Sequence, residues 1–271
     1  MFLRSLKELK GNADENTLSK VHLIIPDIHS HWEHDNARAD LLSKLVIDLQ
    51  PDVVINMGDQ WDMPSLSSYD KGLRSFQGRT YAADIASGCE FSDRLWGPVK
   101  RRKRKLPLRV FLHGNHENRI EKALQLSPEL EGTINFSDLS LDTNYDIVVP
   151  YTGKNTPGII ELDGVTYAHY LVSGIMGRPV GGEHPAYSLI SKSFTSCTVA
   201  HSHLLDFCIR TMPDGGRVMG LVAGCMVDYK SDWAGETQKL WWPGVIVCRN
   251  VNDGQYDPEM ITLERLRKIY G

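Results

Sequence analysis

The sequence predicts an α/β protein in which two mixed β-sheets pack against each other and helices cover their outer faces, giving four α/β/β/α layers. In the first half of the 271-residue chain, strand patterns alternate with helical ones, which favours parallel pairing. The second half is a series of short strand patterns separated by turn signals, which favours antiparallel pairing. With no repeat or linker, the chain is expected to form one domain over residues 1–271, and residues 1–20 are a candidate variable extension.

Each strand pattern of the first half ends in polar residues. Val21–Pro26 is a short apolar run typical of a buried strand, and the leucine spacing in Ala37–Leu49 predicts an amphipathic helix that ends before Pro51. Asp52–Met57 gives a second strand, and Leu108–Leu112 a third. The long polar stretch between these two strands is expected to be mainly helical.

The second half predicts short strands punctuated by Asp-Gly and Pro-Asp-Gly-Gly turns. Tyr170–Ile190 is rich in glycine and is expected to be a loop that shapes a substrate pocket or merely connects strands. The predicted strands are Ile147–Val149, Gly158–Leu162, Val165–His169, Thr195–His201, Leu205–Thr211, Arg217–Ala223 and Val245–Val251.

Composition excludes several classes of protein. With 41% hydrophobic and 24% charged residues, the chain is typical of a globular protein and not of a disordered or fibrous one. A net charge of −4 argues against a protein that coats nucleic acid, so any such contact must be local. The basic run Lys100–Lys105 is interpreted first as a solvated helix end, with a phosphate-backbone contact as the alternative.

The sequence also predicts a cytoplasmic location without a membrane partner. Arg4 and Lys7 interrupt what would be the apolar part of a signal peptide, and no apolar run is long enough to span a membrane. The five cysteines form no C-x-x-C pair, which favours reduced thiols over a disulfide framework or a zinc ribbon.

Polar side chains cluster where the predicted strands end, the place where open α/β sheets hold their ligands. Aspartate, histidine and asparagine all offer oxygen or nitrogen ligands to divalent metals, and residues two apart in a strand point to the same side. One carboxylate has two oxygens and can therefore bridge two ions. The residues concerned are Asp27, His29, Asp59, Asn115, His116, His169, His201 and His203.

This ordered set resembles the calcineurin-like metallophosphoesterase superfamily, whose pattern is D-x-H, G-D-x-x-D, G-N-H-[DE], H and G-H-x-H. The resemblance covers Asp27 to His203, about two thirds of the chain. It implies one metal held by Asp27, His29, Asp59 and His203. It implies a second held by Asp59, Asn115, His169 and His201, with Asp59 bridging both.

The resemblance implies a phosphoester hydrolase in which metal-activated water attacks phosphorus and His116 is the general acid. Asp59 is then the catalytic bridging carboxylate, whereas Asp62 is expected to have a supporting role. The implied cofactors are two divalent ions, with Mn²⁺ favoured over Fe or Zn²⁺. The partner is a phosphoester substrate, with a nucleotide or nucleic acid as the leading class; the oligomeric state stays open.

Departures from the superfamily pattern favour a phosphodiester substrate. Phosphoprotein phosphatases carry arginines at the positions of Met63 and His113, and that clamp for a monoester dianion is missing here. Candidate substrate contacts are Trp61, His113 and Arg119. The alternative is a phosphomonoesterase acting on a small molecule or a protein, and a non-catalytic scaffold of the same fold is a further alternative.

A competing motif lies in His29–His34, where the sequence H-S-H-W-E-H resembles the metal-binding run of metallo-β-lactamase-fold hydrolases. Those hydrolases lack the G-D-x-x-D and G-N-H-E blocks, so under that interpretation Asp59, Asn115 and His116 would be coincidental. On the favoured interpretation, His31 and His34 line the rim of the site or face solvent.

Overall fold

The computed structural model describes residues 19–69, 71–102, 104–153, 155–231 and 233–271. Most of the predicted N-terminal extension, residues 1–18, lies outside the described residues, as does Lys103 of the basic run. Lys20, which is the last residue of the predicted extension but is described by the structure, is the first residue of a strand.

The first sheet contains six strands in the order β13-β12-β1-β2-β3-β4. Three of its strands, β1, β2 and β3, come from the first half of the chain and pair in parallel, as their alternation with helices predicts. The fourth, β4, which the sequence analysis grouped with the antiparallel second half, also pairs in parallel, with β3. The two late strands close the sheet by antiparallel pairing with β1, so the chain's end returns to its beginning. These strands are β1 (Lys20–Ile25), β2 (Val53–Asn56), β3 (Leu108–Leu112), β4 (Ile147–Val149), β12 (Gly244–Asn252) and β13 (Gln255–Thr262).

The second sheet has five strands in the order β10-β11-β9-β6-β5 and is also mixed. A two-stranded hairpin stands apart from it, inside the segment expected to be a loop. The strands of the second sheet are β5 (Ile159–Leu162), β6 (Val165–Ala168), β9 (Cys197–Val199), β10 (Leu205–Thr211) and β11 (Arg217–Ala223). The hairpin consists of β7 (Val172–Ser173) and β8 (Arg178–Pro179).

Helices cover both outer faces and confirm the predicted four-layer order. The α-helices are α1 (Ala37–Leu49), α2 (Tyr81–Arg101), α3 (Arg119–Leu126), α4 (Leu141–Asn144), α5 (Pro185–Ser193) and α6 (Leu263–Tyr270). The sequence did not predict β13 or α6, and α5 begins inside the segment interpreted as a loop. No helix within the described part of the chain is both long and apolar enough to cross a bilayer.

Side-chain alternation in β1 explains why the layers stack in this way. Leu23 and Ile25 point into the apolar layer shared with α1, α2 and α6, whereas Ile24 points into the layer between the two sheets. A third apolar cluster packs α5 on the far side of the second sheet through Leu189 and Ile190. The central strands are therefore buried on both faces, and only their ends are free to present polar groups.

Candidate metal centre

The predicted metal ligands meet at the carboxyl ends of five strands taken from both sheets. Asp27 and His29 follow β1, and Asp59 follows β2. Asn115 and His116 follow β3, His169 follows β6, and His201 and His203 follow β9. Most of these residues are buried, and their ligand atoms form compact groups of aspartate oxygens and histidine nitrogens.

The first group consists of Asp27, His29 and His203. His203 Nε2 lies 3.1 Å from Asp27 Oδ2 and 3.1 Å from His29 Nε2. The Asp27 side chain is fully buried, yet neither of its oxygens accepts a hydrogen bond from the described residues. Since a buried carboxylate that accepts no hydrogen bond is costly, this carboxylate and its two imidazoles suit a cation.

The second group consists of Asp59, His169 and His201, with Asn115 beside it. His169 Nε2 lies 3.3 Å from Asp59 Oδ2 and 3.0 Å from Asn115 Oδ1. The other ring nitrogen of His169, Nδ1, donates to the Met57 carbonyl at 2.8 Å, which leaves the Nε2 lone pair directed at the group. The buried Nδ1 of His201 has no hydrogen-bond partner among the described residues.

Asp59 lies between the two groups. Its Oδ2 atom is 3.3 Å from His169 Nε2 in the second group and 3.8 Å from His29 Nε2 in the first. Its Oδ1 atom accepts a 2.9 Å hydrogen bond from the His116 backbone N–H, which fixes the orientation of the carboxylate. The carboxylate is thus held where it faces both groups.

The electrostatics of the centre favour negative carboxylates. Burial raises the pKa of Asp59, but the nearby His169 and His116 outweigh burial and hold that pKa well below its usual range. The pKa of Asp27 is also lowered, because His203 and His169 outweigh the opposing effect of burial. Two buried, ionised carboxylates are a strong attraction for divalent cations.

His116 is held by backbone and by Arg119. Its Nδ1 donates to the Asp62 carbonyl at 2.6 Å, since a carbonyl can only accept. The lone pair on Nε2 therefore accepts from Arg119 Nη2, 3.2 Å away. Nε2 is also 3.9 Å from Asp59 Oδ2, so this ring edge faces the metal groups.

Asp62 has the supporting position that the sequence suggested. Its Oδ1 atom lies 2.9 Å from His29 Nδ1 and 3.3 Å from His116 Nδ1. The carboxylate therefore orients the ring of a proposed ligand, leaving the opposite nitrogen of His29 toward the first group. Burial raises the pKa of Asp62, but His116 and His29 outweigh burial and hold that pKa well below its usual range.

Two glycines allow the loops after β2 and β3 to touch. A side-chain carbon at Gly114 would overlap the Asp59 carboxylate, and one at Gly58 would overlap the Gly114 backbone. Glu117 then joins the loops, because its buried carboxylate accepts hydrogen bonds from the backbone N–H groups of Asp59 at 2.9 Å, Gly114 at 2.8 Å and Trp61 at 3.1 Å. In the sequence, Glu117 is only the last residue of the G-N-H-E block, and nothing in that block predicts this role.

Arg38 is a second supporting residue that the sequence did not reveal. Its guanidinium, 1% exposed, donates to the carbonyls of Ile28 at 3.0 Å and Met226 at 2.6 Å. Tyr229 donates to the carbonyl of His29 at 2.6 Å. These hydrogen bonds fix the turn that carries the proposed ligands Asp27 and His29. In sequence, Arg38 is one more polar residue of an amphipathic helix, and nothing in its spacing marks it as buried.

Two of the candidate substrate contacts are corrected by the structure. Trp61 is fully buried against α2, and its Nε1 donates to the Ile85 carbonyl at 3.3 Å, so it is a core residue that no substrate can reach. His113 is buried beside Phe111 and Phe136, and burial lowers its pKa to about 4. A neutral, enclosed imidazole cannot replace the missing arginine. Arg119 is the candidate that does lie beside the centre.

The competing His29–His34 motif does not assemble into a metal site. His34 stacks on Tyr229 with ring centroids 3.9 Å apart, and His31 stacks on Trp32 at 5.4 Å. Of that motif's histidines, only His29 belongs to the candidate metal groups found among the described residues. His31 and His34 pack on neighbouring aromatic rings, and their place at the rim of the site stays a prediction.

The basic run lies away from the centre. Its described residues close α2 and precede the first residue of β3, whereas the centre follows the last residue of that strand. Lys100 is engaged there, with its ammonium 2.8 Å from the Thr143 carbonyl and 2.7 Å from Asn144 Oδ1. This placement fits a structural role for Lys100 at a helix end.

Comparisons with known proteins place this chain in a family. The model of the calcineurin-like phosphoesterase family matches residues 22–207, about two thirds of the chain. Yfce, a phosphoesterase from E. coli, is 11% identical with a TM-score of 0.40, over 89% of this chain and 100% of its own. TT1561 of Thermus thermophilus is 10% identical with a TM-score of 0.38, over 90% of this chain and 99% of its own.

No protein of curated function matches the sequence significantly, so the assignment rests on the family model. The match begins at His22 within β1 and ends at Phe207 within β10, which spans every strand end that contributes to the centre. The chain therefore belongs to the calcineurin-like phosphoesterase family, and it is a metal-dependent hydrolase of phosphoester bonds.

Proposed function

We propose that the protein is a binuclear phosphodiesterase that acts on a nucleotide or nucleic acid. The observation that carries this proposal is the position of Asp59 Oδ2, 3.3 Å from His169 Nε2 and 3.8 Å from His29 Nε2. A carboxylate between two histidine groups can serve two ions and fix the distance between them.

The donor set supports two ions of borderline hardness. One ion would be held by Asp27, His29, Asp59 and His203, and the buried oxygens of Asp27 that lack a hydrogen bond fit that role. The second would be held by Asp59, Asn115, His169 and His201. Mixed oxygen and imidazole ligands suit Mn²⁺, which we propose as the activating ion, and also Fe or Zn²⁺.

When bound, the two ions would supply Lewis acidity toward the phosphoryl group and acidify a water molecule. His116 is the proposed general acid. The Asp62 carbonyl fixes the proton of this imidazole on Nδ1, so a second proton, taken up on Nε2 in place of the hydrogen bond from Arg119, is the one passed to the leaving oxygen. Asp62 keeps the rings of His116 and His29 in place.

The setting of Arg119 favours a diester over a monoester. Its Nη1 donates to the carbonyls of Asp62 at 2.9 Å and Met63 at 3.0 Å, and its Nη2 faces His116. A guanidinium occupied in this way is less free to clamp the dianion of a phosphomonoester with two parallel hydrogen bonds. A phosphodiester carries one negative charge less and depends less on such a clamp.

We also propose a cytoplasmic location. The five cysteines are all unpaired, at positions 89, 197, 208, 225 and 248. Unpaired thiols in buried and half-buried positions fit a reducing compartment.

The test combines metal analysis with two matched substrates. We expect about two ions per chain after loading with Mn²⁺, and hydrolysis of bis(para-nitrophenyl) phosphate at least roughly tenfold faster, in kcat/KM, than of para-nitrophenyl phosphate. D59N should lose metal and at least about a hundredfold in kcat/KM on the diester. The control D142N removes an exposed carboxylate and should change neither property.

Each of these measurements has a result that would contradict the proposed function. A preference for the monoester would overturn the diester assignment and support the phosphomonoesterase alternative. One ion per chain, or full activity in D59N, would overturn the binuclear site. A protein that binds no metal would point to a scaffold.

A further inference from the structure

An exposed tryptophan stands beside the first metal group. Trp233 is 58% exposed, although a large aromatic residue is normally buried. Its ring centroid is 6.0 Å from that of His29 and 6.0 Å from that of His203. The exposed indole therefore borders two of the proposed metal ligands.

The Trp233 indole packs on a second tryptophan, Trp241. Its ring lies 5.4 Å from the ring of Trp241, and Trp241 packs edge-to-face on His203 at 4.2 Å. The chain of rings from His203 to Trp233 is continuous, so the exposed indole is tied to the metal group. A planar surface held in this way needs little further ordering when a flat ligand binds.

We infer that Trp233 is a stacking platform for the nucleobase of a phosphodiester substrate whose phosphate binds at the metal centre. The inference rests on the proposed phosphodiesterase function and specifies the substrate as a nucleotide ester or single-stranded nucleic acid. A base in a duplex stays stacked on its neighbours, whereas a free base can stack on an aromatic side chain.

A choline-type headgroup is the competing ligand for an aromatic surface, and the ring geometry disfavours it. An aromatic cage encloses a quaternary ammonium between ring faces. Trp233 and Trp241 are only 5.4 Å apart and inclined at 47°, so they contact each other and leave no room for a cation between them. The surface that remains is one open indole, which suits one planar ring.

Two diesters with the same leaving group isolate the contribution of the base. The para-nitrophenyl ester of thymidine 5′-phosphate carries a base, whereas methyl para-nitrophenyl phosphate has the same charge and no base. In the Mn²⁺-loaded enzyme we expect W233A to lower the ratio of the two kcat/KM values roughly tenfold, mainly through KM of the nucleotide ester. W233F should retain most of the ratio.

The matched control is L240A. Leu240 is 68% exposed in the neighbouring 3-10 turn, and its removal should leave the ratio unchanged. A W233A ratio within about twofold of the wild-type ratio overturns the platform, as does an equal loss on both substrates. A preference of the wild type for para-nitrophenyl phosphocholine that disappears in W233A would also overturn it, in favour of a cation site.

A binding measurement separates failure of the platform from failure of the proposed function. The non-hydrolysable phosphonate analogue of adenosine 5′-monophosphate should bind the Mn²⁺-loaded wild type more tightly than methylphosphonate does, and W233A should remove roughly tenfold of that affinity. If the wild type hydrolyses neither diester, the proposed function fails, and this binding difference still decides whether the platform exists. Equal binding by wild type and W233A overturns it.

Discussion

Left-handed backbone conformations are found at half of the residues that we propose as metal ligands or catalytic groups. The φ angles are 47° at His29, 50° at Asp59, 68° at His201 and 61° at His203. For residues other than glycine this conformation costs about 1 kcal/mol each, and it persists only where the surroundings enforce it. Here the Asp59 carbonyl accepts the His29 N–H at 2.8 Å, and the strain turns side chains inward as the strands end.

Asp84 is a residue whose charge opposes folding. The residue is 1% exposed, Oδ2 accepts the Ser65 N–H at 3.0 Å, and Oδ1 has no partner among the described residues. Burial raises the pKa of Asp84 to about 6. The folded state therefore holds this proton more tightly than the unfolded state does, and stability falls as pH rises from about 4 to about 6.

We predict that D84N is more stable than the wild type by roughly 1–3 kcal/mol at pH 7, because asparagine has no charge to bury. The difference should shrink toward pH 4, where the wild-type carboxyl is protonated in the folded state and, with an ordinary pKa of about 3.9, about half protonated in the unfolded state. Urea unfolding at pH 4.5, 5.5 and 7 measures it, with D93N on the exposed face of α2 as the control. A stability difference between D84N and the wild type that does not change with pH would contradict the raised pKa of Asp84.

Helix α2 supports the metal centre through one close packing contact. Gly88 lies where the Trp61 indole presses on the helix, and a side-chain carbon there would overlap that indole. Trp61 belongs to the loop that carries Asp59 and Asp62, so its contact with Gly88 sets how closely that loop packs against α2. At Gly97 in the same helix, the nearest atom to an added carbon, apart from the two neighbouring residues and the helix backbone, is the Arg101 guanidinium, 3.5 Å away.

The two glycines give opposite predictions for the same substitution. G88A should lower the free energy of unfolding by about 1–3 kcal/mol, because overpacking outweighs the better helix propensity of alanine. G97A should raise it by up to about 1 kcal/mol through that propensity alone. Urea unfolding of both variants is the measurement, and equal effects of the two substitutions would show that α2 does not position Trp61.

Helix α1 contributes a buried charge to the same centre. Arg38 binds the carbonyls of Ile28 and Met226, and the Met226 N–H donates to the Asp27 carbonyl at 2.8 Å. Removing the guanidinium frees the turn that aims Asp27 and His29. Arg38 is not one of the proposed metal ligands, so it can affect metal binding only by orienting those ligands.

We predict that R38M weakens Mn²⁺ binding roughly 10–100-fold, the usual effect of losing a group that orients metal ligands. R38K keeps the charge but not the fork of donors and should fall between R38M and the wild type. Calorimetric titration with Mn²⁺ measures the affinity, and K44M on the exposed face of α1 is the control. Unchanged affinity in a folded R38M protein would remove Arg38 from the support of the centre.

At the scale of the whole molecule, the centre joins the two sheets. Its proposed ligands follow β1, β2 and β3 of the first sheet and β6 and β9 of the second. A metal bound there cross-links the sandwich in the folded state only. Binding and folding are therefore linked by mass action.

We predict that Mn²⁺ raises the melting temperature and that a chelator lowers it. At a free ion concentration 100 times the dissociation constant, one site adds about 2.7 kcal/mol, and for a chain of this size about 2–4 °C accompany each kcal/mol. The expected shift is therefore roughly 5–10 °C per tightly bound ion. Differential scanning calorimetry measures it, and D59N should show a much smaller shift. An identical melting temperature with and without chelator would contradict tight binding.

The sequence by itself determined the layer order, the parallel pairing of the first half and the family. Strand patterns that end in polar residues carry this information locally, because buried strands leave only their ends free for chemistry. The pattern from Asp27 to His203 could be found for the same reason, since each of its blocks is a short local motif at a strand end.

Only the tertiary structure decided which other residues belong to the centre. In the structure, Arg38 and Glu117 support the centre, whereas Trp61 and His113 are core residues. Trp233 lies beside His203. Burial and contact are set by segments far apart in the chain, and a residue's type does not reveal which of these it will meet. The candidate metal-binding residues could therefore be predicted from the sequence. The surroundings that orient them and shift their pKa values depend on how the two sheets pack.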